Sequence, residues 1–298
     1  MILRPGDKVA IVAPAAQLPE AEAGLLESGA ALLEKWGLRV TIQVERRRHF
    51  YLAGTDAERA AHLQAAVANP EIRAILAARG GYGCTRLFPH LRPHFICARK
   101  LLVGYSDVTA LHLAASQLWP QVESIHGPNI ASPEFLGLEL AAEVKRLWLY
   151  RALFDPAYEV DVPVEFLRQG RASGPLRGGC LSLLAGALGT RFAPASEGAI
   201  VFLEDIDEAP YRIDRLLVQL RNAGLFADVA GVVFGVMHRC ADGMNDLRDV
   251  IRDVLSDYTF PIAFGLPAGH GESNVALPLG APATLEGASG HFKLHRRR

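Results

Sequence analysis

Short apolar runs alternate with segments of helical spacing through the first half of the chain. The runs at 8–14, 38–44, 72–78, 101–103 and 122–125 are typical of buried strands. Between two of them, Thr55–Glu58 carries the capping-box pattern and predicts a helix that ends near Ala68. A second long helix is predicted over 134–154. This alternation predicts an α/β fold with a doubly wound parallel sheet.

The pattern changes after residue 154. Pro and Gly breaks surround 158–162, which alternates like an exposed strand, and we interpret 155–174 as a linker. It would separate an N-terminal domain, 1–154, from a smaller mixed α/β domain, 175–298. The strands predicted there are 199–203, 229–237 and 261–266, the helices are 181–188, 210–223 and 245–256, and an edge hairpin is predicted at 283–294.

Composition excludes several classes of protein. The chain has 298 residues, half of them hydrophobic, and a net charge of −1. Its basic runs, 46–48 and 296–298, are not interleaved with aromatic residues, so a nucleic-acid partner is not expected. The cysteines form no C-x-x-C pair, which argues against a zinc ribbon and favours reduced thiols; they are Cys84, Cys97, Cys180 and Cys240.

The sequence also predicts a soluble, cytoplasmic protein. No apolar run reaches the roughly 18 residues that a membrane helix needs. The first eight residues contain charges and a Pro-Gly break where a signal peptide would be apolar.

Ser106 lies at the junction of a predicted strand and a predicted helix. The apolar run stops at Gly104, and helical spacing begins at Asp107. A serine at so sharp a turn presents its hydroxyl above the sheet, near the backbone N–H groups of the first helical turn. The alternative is that Ser106 only caps the helix, since Ser is a favourable N-cap residue. Both interpretations are open at this stage.

Catalysis by a serine needs an imidazole and a carboxylate as well. Glu204 ends an apolar run, and His270 follows another strand in a glycine-flanked loop, where catalytic groups of α/β sheets collect. The alternatives for Glu204 are a solvated acidic cluster at a helix N-terminus and a metal site that lacks a nearby histidine. His126 competes with His270 as the base, whereas His112 lies on the far side of the predicted helix.

The segment 79–83 is Arg-Gly-Gly-Tyr-Gly and follows a predicted strand. Its backbone N–H groups, together with that of Asp107, could form an oxyanion hole. Alternatively, the glycines serve only a tight turn with positive φ. The segment matches neither G-x-G-x-x-G nor a P-loop, so we assign no nucleotide cofactor. We also assign no metal, because the acidic cluster at 204–208 has no partner histidine nearby in the sequence.

Five motifs occur in a fixed order along the chain. They are GGYG at 80–83, GYSDVT at 104–109, HGP at 126–128, LEDIDE at 203–208 followed by PYRIDR at 210–215, and GLPAGH at 265–270. This set resembles the muramoyltetrapeptide LD-carboxypeptidases, a serine peptidase family that includes the microcin C immunity peptidases. The resemblance runs from the first strand to 278–280.

The resemblance implies a catalytic triad of Ser106, Glu204 and His270, with the serine in the N-terminal domain and the other two in the C-terminal domain. It also implies an oxyanion hole from the backbone of Gly81 and Asp107, and a homodimer. The chain departs from the family pattern at two positions, Ala15 in place of serine and Cys180 in place of asparagine.

The implied reaction is removal of the terminal D-Ala from the murein tetrapeptide L-Ala-γ-D-Glu-meso-diaminopimelate-D-Ala during cell-wall recycling. The alternatives are a microcin-immunity peptidase that cleaves a peptidyl-adenylate, and a non-catalytic protein that binds a small ligand. Because guanidinium groups match carboxylates bidentately, arginines are candidates for contact with the substrate. The candidate substrate-binding residues are Arg79, Tyr82, Arg86 and Arg177.

Overall fold

The computed structural model describes residues 1–22, 24–45, 47–94 and 98–296. These residues form two compact units, Met1–Pro156 and Ala157–Arg298. Cys97 lies outside the described residues, as do Arg46 of the first basic run and Arg297 and Arg298 of the second.

The first unit is built on a parallel sheet with the strand order β5-β4-β3-β1-β2. Its strands are β1 (Lys8–Val12), β2 (Arg39–Gln43), β3 (Ile72–Ala77), β4 (Lys100–Gly104) and β5 (Val122–His126). The strand order reverses between β1 and β3, and ligands of open α/β sheets bind outside the carboxyl ends of strands at such a point. The predicted α/β class and parallel sheet are confirmed.

The helices of the first unit connect these strands. They are α1 (Gly24–Lys35), α2 (Asp56–Ala68), α3 (Thr109–Leu118), α4 (Pro133–Leu136) and α5 (Leu140–Phe154), with 3-10 turns at Glu20–Glu22, Thr85–Leu87 and Ser106–Val108. The predicted capping box is confirmed: the Glu58 N–H donates to Thr55 Oγ1 at 3.3 Å, and the Thr55 N–H donates to Glu58 Oε2 at 2.8 Å.

The single long helix predicted over 134–154 is wrong, because the chain forms two helices there. Gly137 ends α4 with an extended ψ of 169°, and Glu139 is the N-cap residue of α5. A Cβ at Gly137 would lie 2.9 Å from the carbonyl oxygen of Pro133, so the tight end of α4 requires glycine there. None of the helices among the described residues combines the length and apolar character needed to cross a bilayer.

The second unit contains a mixed sheet with the order β6-β14-β13-β8-β9-β10-β11-β7. Strands β8 to β11 are parallel, and the other pairings are antiparallel. The strands of this sheet are β6 (Glu159–Pro163), β7 (Glu165–Arg168), β8 (Arg171–Cys180), β9 (Ile200–Ile206), β10 (Gly231–His238), β11 (Ile262–Gly269), β13 (Pro282–Glu286) and β14 (His291–His295). The unit also has the two-residue strand β12 (Leu277–Pro278), which is not part of this sheet. The helices are α6 (Leu181–Gly186), α7 (Pro210–Asn222) and α8 (Leu247–Val254).

Two predictions for this half need correction. The segment 155–174, predicted as a linker, contains β6, β7 and the start of β8. The alternation at 158–162 marked a real strand, since Tyr158 and Val160 are buried and the Tyr158 hydroxyl donates to the Ala276 carbonyl at 2.6 Å. The hairpin at 283–294 is present as β13 and β14, but it is not at an edge, because β6 and β8 flank it.

Candidate active site

Ser106 is held in a strained turn between β4 and α3. Its φ is +63°, in the left-handed region that non-glycine residues rarely occupy outside functional sites. The N-cap positions are Tyr105 for the 3-10 turn and Val108 for α3, so Ser106 caps neither helix. This geometry is a strand–turn–helix elbow that presents a serine hydroxyl, and it argues against the capping interpretation.

The glycine loop after β3 passes directly over this serine. A Cβ at Gly80 would lie 3.1 Å from Ser106 Cβ and 3.4 Å from its Oγ. Gly81 has a φ of +99°, and a Cβ there would lie 2.8 Å from Ala16 Cβ. Gly80 therefore allows a close approach of the loop backbone to Ser106, and Gly81 allows its close approach to Ala16.

His112 and His126, the other histidines considered as the base, are both buried in the first unit. His112 Nε2 lies 2.8 Å from the Gly104 carbonyl oxygen, and burial lowers the pKa of His112 to about 4, so its neutral ring anchors the end of β4. His126 has no exposed surface, and its ring packs edge-to-face with Tyr105 at a centroid distance of 6.0 Å. Burial makes both rings poor candidates for rapid proton exchange with a substrate.

The second unit holds a carboxylate–imidazole pair at the ends of β9 and β11. Glu204 is fully buried, and its Oε2 lies 2.7 Å from His270 Nδ1 and accepts the His270 backbone N–H at 3.2 Å. When Nδ1 carries the proton that binds Glu204, Nε2 is the basic atom of the neutral ring. This pair has the arrangement of an oriented general base.

Gly269 packs directly on the carboxylate of Glu204. Its φ is +113°, and a Cβ at this position would lie 2.5 Å from Glu204 Oε2. The Gly269 N–H donates to the buried Asn274 Oδ1 at 3.1 Å, which holds the start of the histidine loop. The glycine before His270 thus lets the backbone come close enough for both hydrogen bonds to Glu204.

The charges around the pair favour a protonated histidine. Burial alone would lower the pKa of His270, but the hydrogen bond and charge of Glu204, with the charges of Asp205 and Asp207, outweigh it and raise the pKa above its usual value. Burial also raises the pKa of Asp205, although that carboxylate accepts the N–H groups of Ser182 and Ile206 at 2.8 and 2.9 Å.

The acidic cluster after β9 is only partly solvated. Asp207 is exposed and forms a bidentate ion pair with Arg239, at 2.6 and 2.5 Å. Glu204 and Asp205 are buried, so the interpretation of Glu204 as a solvated residue is wrong. Strand β9 continues past the apolar run and carries both carboxylates into the interior.

The four predicted substrate-binding residues occupy different environments. Arg79 pairs with Glu22 at 2.8 Å, and Arg86 contacts both oxygens of Asp56 at 2.9 to 3.0 Å. Tyr82 is half exposed, and Arg177 is exposed on β8. Their contacts with a substrate remain predictions.

A pocket of about 820 Å³ lies in the first unit, and the sequence did not predict it. It is formed by residues that follow β1, β2 and β3, at the reversal of strand order. Its lining is Ala16, Gln17, Leu18, Pro19, Glu20, Arg48, Phe50, Tyr51 and Arg79. The available signal was the aromatic pair Phe50 and Tyr51 shortly after the basic run, because ligand pockets are lined by aromatic side chains with a few polar groups.

Comparison with known families agrees with this geometry. Residues 9–127 match the family model of the LD-carboxypeptidase N-terminal domain, and residues 173–285 match that of the LD-carboxypeptidase C-terminal domain. A Bacillus subtilis protein named "Probable murein peptide carboxypeptidase" is 35% identical over 96% of this chain and 91% of its own length.

A solved structure and a more distant relative extend the comparison. The crystal structure of muramoyltetrapeptide carboxypeptidase from Oxalobacter formigenes superposes with a TM-score of 0.84 and 29% identity, covering 97% of this chain and 99% of its own. The microcin C7 self-immunity protein MccF of Escherichia coli is 26% identical over 87% of this chain and 84% of its own length. The chain therefore belongs to the LD-carboxypeptidase family of serine peptidases.

Proposed function

We propose that this protein is a serine LD-carboxypeptidase that removes the terminal D-Ala from murein tetrapeptide and leaves the tripeptide. The observation that carries the proposal is Ser106 at a φ of +63° on the elbow between β4 and α3. The names of the Bacillus and Oxalobacter relatives support a murein peptide as the substrate.

The proposed nucleophile is Ser106 Oγ, which attacks the carbonyl carbon between diaminopimelate and D-Ala. His270 Nε2 takes the serine proton, and Glu204 stabilises the resulting imidazolium through Nδ1. The imidazolium then gives its proton to the D-Ala nitrogen as the C–N bond breaks, which leaves an acyl-enzyme. Water, activated by the same histidine, hydrolyses the ester and releases the tripeptide.

The oxyanion of the tetrahedral intermediate would be stabilised by the N–H groups of Gly81 and Asp107. Preorganised backbone donors are effective because they need no reorganisation when charge develops. The support for this role is the close passage of Gly80 over Ser106 and the position of Asp107 next to the nucleophile.

We further propose that the two units act as the nucleophile domain and the acid–base domain of one enzyme. Each unit carries an incomplete set of catalytic groups: the serine lies in the first, and the Glu204–His270 pair lies in the second. A serine without an imidazole is a weak nucleophile, so the chemistry requires both sets.

Recognition of the substrate would depend on its carboxylates and on the inverted configuration of its last residue. Arg79, Tyr82, Arg86 and Arg177 are proposed to contact the peptide, because guanidinium groups bind carboxylates bidentately. A site shaped for a terminal D-residue rejects the L-epimer by steric clash.

The proposed setting is the cytoplasm, where imported wall fragments are processed, and the proposed assembly is a homodimer. Cell fractionation tests the first point. Light scattering coupled to size-exclusion chromatography tests the second, and a monomeric mass at working concentration would contradict it.

The decisive experiment incubates the purified protein with the tetrapeptide and with its analogue ending in L-Ala, and follows both by mass spectrometry. Loss of D-Ala from the first substrate only, abolished in Ser106→Ala, supports the proposal. Cleavage of a peptidyl-adenylate without cleavage of the tetrapeptide would indicate the activity suggested by the MccF relative. Absence of both cleavages, together with no labelling of Ser106 by a fluorophosphonate, would indicate a binding protein.

A further inference from the structure

The loop 80–84, which follows β3, is hydrogen-bonded by two buried charged side chains. The catalytic steps proposed above do not use either side chain. One is the carboxylate of Asp107, and the other is the guanidinium of Arg59 on α2; both residues are 1% exposed. Burial of two charged groups needs a compensating set of hydrogen bonds, and here the partners are backbone groups of neighbouring loops.

The Asp107 carboxylate binds the N–H side of the loop. The Cys84 N–H donates to its Oδ2 at 2.8 Å. Asp107 follows Ser106 directly in the chain, so one residue supplies a proposed oxyanion donor through its backbone and holds the neighbouring loop through its side chain.

The Arg59 guanidinium binds the carbonyl side of the same loop. Its Nη1 donates to the carbonyl oxygen of Gly83 at 2.9 Å and also to that of Pro14, in the loop after β1. A Cβ at Gly83 would lie 2.9 Å from Arg59 Nη1, so the loop backbone lies directly against the cation. The other terminal nitrogen pairs with Asp56, which Arg86 also contacts.

We propose that Asp107 and Arg59 are positioning residues that fix loop 80–84, and with it the Gly81 N–H, over Ser106 so that an oxyanion can be bound. This inference rests on the proposed function. It follows from the geometry because the peptide unit between Gly83 and Cys84 is bound at both its carbonyl and its N–H, while Gly80 packs on Ser106. Hydrogen-bond donors held in fixed positions stabilise the charge of a transition state far more than mobile donors do.

The test compares Arg59→Lys and Asp107→Asn with a matched control, Arg146→Lys. Arg146 also uses Nη1 to bind two backbone carbonyls, those of Phe135 and Gly137, at 2.7 and 2.8 Å, but it holds the α4–α5 connection instead of the loop over the serine. Lysine keeps the charge of arginine and loses the planar fork. Asparagine keeps one acceptor of Asp107 and replaces the other with a donor that faces N–H groups.

Two readouts are measured on the full-length folded protein. The first is the reactivity of Ser106, measured both as the turnover of tetrapeptide and as the rate of its phosphonylation by a fluorophosphonate. We expect kcat and the phosphonylation rate to fall about 10- to 100-fold in Arg59→Lys and Asp107→Asn, less than the 10²–10³ of a deleted oxyanion donor, with KM within about two-fold. Arg146→Lys should retain wild-type values.

The second readout is amide hydrogen exchange of the peptide that covers 80–84, which does not depend on activity. We expect faster exchange there in Arg59→Lys and Asp107→Asn but not in Arg146→Lys. Wild-type catalytic rates in folded Arg59→Lys and Asp107→Asn would overturn the inference, as would a rise in KM with kcat unchanged. If the wild-type protein neither cleaves tetrapeptide nor reacts with the fluorophosphonate, the proposed function is refuted instead. In that case, unchanged hydrogen exchange at 80–84 in Arg59→Lys and Asp107→Asn would refute the positioning role as well.

Discussion

Gly269→Ala is the substitution for which the structure gives the clearest expectation. The added methyl group would lie 2.5 Å from Glu204 Oε2 and 2.8 and 2.9 Å from its Cβ and Cγ. Because Glu204 is fully buried, its carboxylate has no solvent-exposed position to move into. Relief of the overlap must therefore displace Glu204 from the 2.7 Å hydrogen bond with His270.

A matched control separates this overlap from backbone strain. Gly265 lies on the same strand with a φ of +86°, and a Cβ there would have no atom within 4 Å. Both substitutions place alanine at a positive φ, at a cost of about 1–3 kcal/mol. Only Gly269→Ala adds overpacking, about 1–3 kcal/mol, and the loss of a hydrogen bond to a charged group, about 1.5–3 kcal/mol.

Urea unfolding followed by far-UV circular dichroism measures this difference, and tetrapeptide turnover measures its catalytic consequence. We expect Gly269→Ala to be less stable than Gly265→Ala by about 2.5–6 kcal/mol. We also expect kcat to fall about 10²- to 10⁴-fold in Gly269→Ala, since a misplaced carboxylate no longer orients the histidine. Equal stability and equal turnover of the two variants would refute the packing of Gly269 on Glu204.

Further substitutions test the site and the fold. Ser106→Ala and His270→Ala should each lower kcat by several orders of magnitude, and the double variant should be little worse; additive losses would contradict a joint role. Glu204→Gln should lower the pKa of His270, measured by NMR, because it removes the charge that favours the imidazolium; an unchanged titration would disprove that cause. His112, with a pKa of about 4 in the folded state against 6.5 unfolded, stabilises the fold above pH 6.5 and loses this contribution as the pH falls toward 4. His112→Gln should therefore flatten the stability profile between pH 4 and 6.5, and a profile as steep as that of the wild type would contradict this. Thr55→Ala should cost about 1 kcal/mol through the lost cap, and an unchanged urea midpoint would argue against it.

The sequence predicted the elements whose signals are local. The apolar runs of the parallel strands, the capping box at Thr55 and the strand-to-helix junction at Ser106 all depend on a few consecutive residues, and the structure has each of them. The N-terminal strand boundaries differ by at most two residues, because buried parallel strands are apolar throughout and end where the pattern breaks.

Strand β8 shows why other elements were missed. Residues 171–180 contain three glycines and a proline, which are typical of a loop. In the structure they form a ten-residue strand, because β8 lies beside β9 so closely that a Cβ at Gly178 would overlap the backbone of Phe202. Glycine here reflects contact between neighbouring backbones, which no local pattern reveals.

Each unit holds a buried charged group against a glycine backbone, and this explains why these details were beyond sequence patterns. In the first unit, Gly83 lies against the buried cation of Arg59, and in the second, Gly269 lies against the buried carboxylate of Glu204. Both glycines have positive φ. Because glycine has no Cβ, the charged group can come close enough to form hydrogen bonds with the backbone. The charged groups are thus oriented by main-chain hydrogen bonds from loops, which depend on tertiary contacts and leave only isolated glycines as their trace in the sequence. It follows that substitutions of these glycines should impair activity more than changes of similar volume at the apolar positions around them, because they displace the backbone groups that orient the charged side chains.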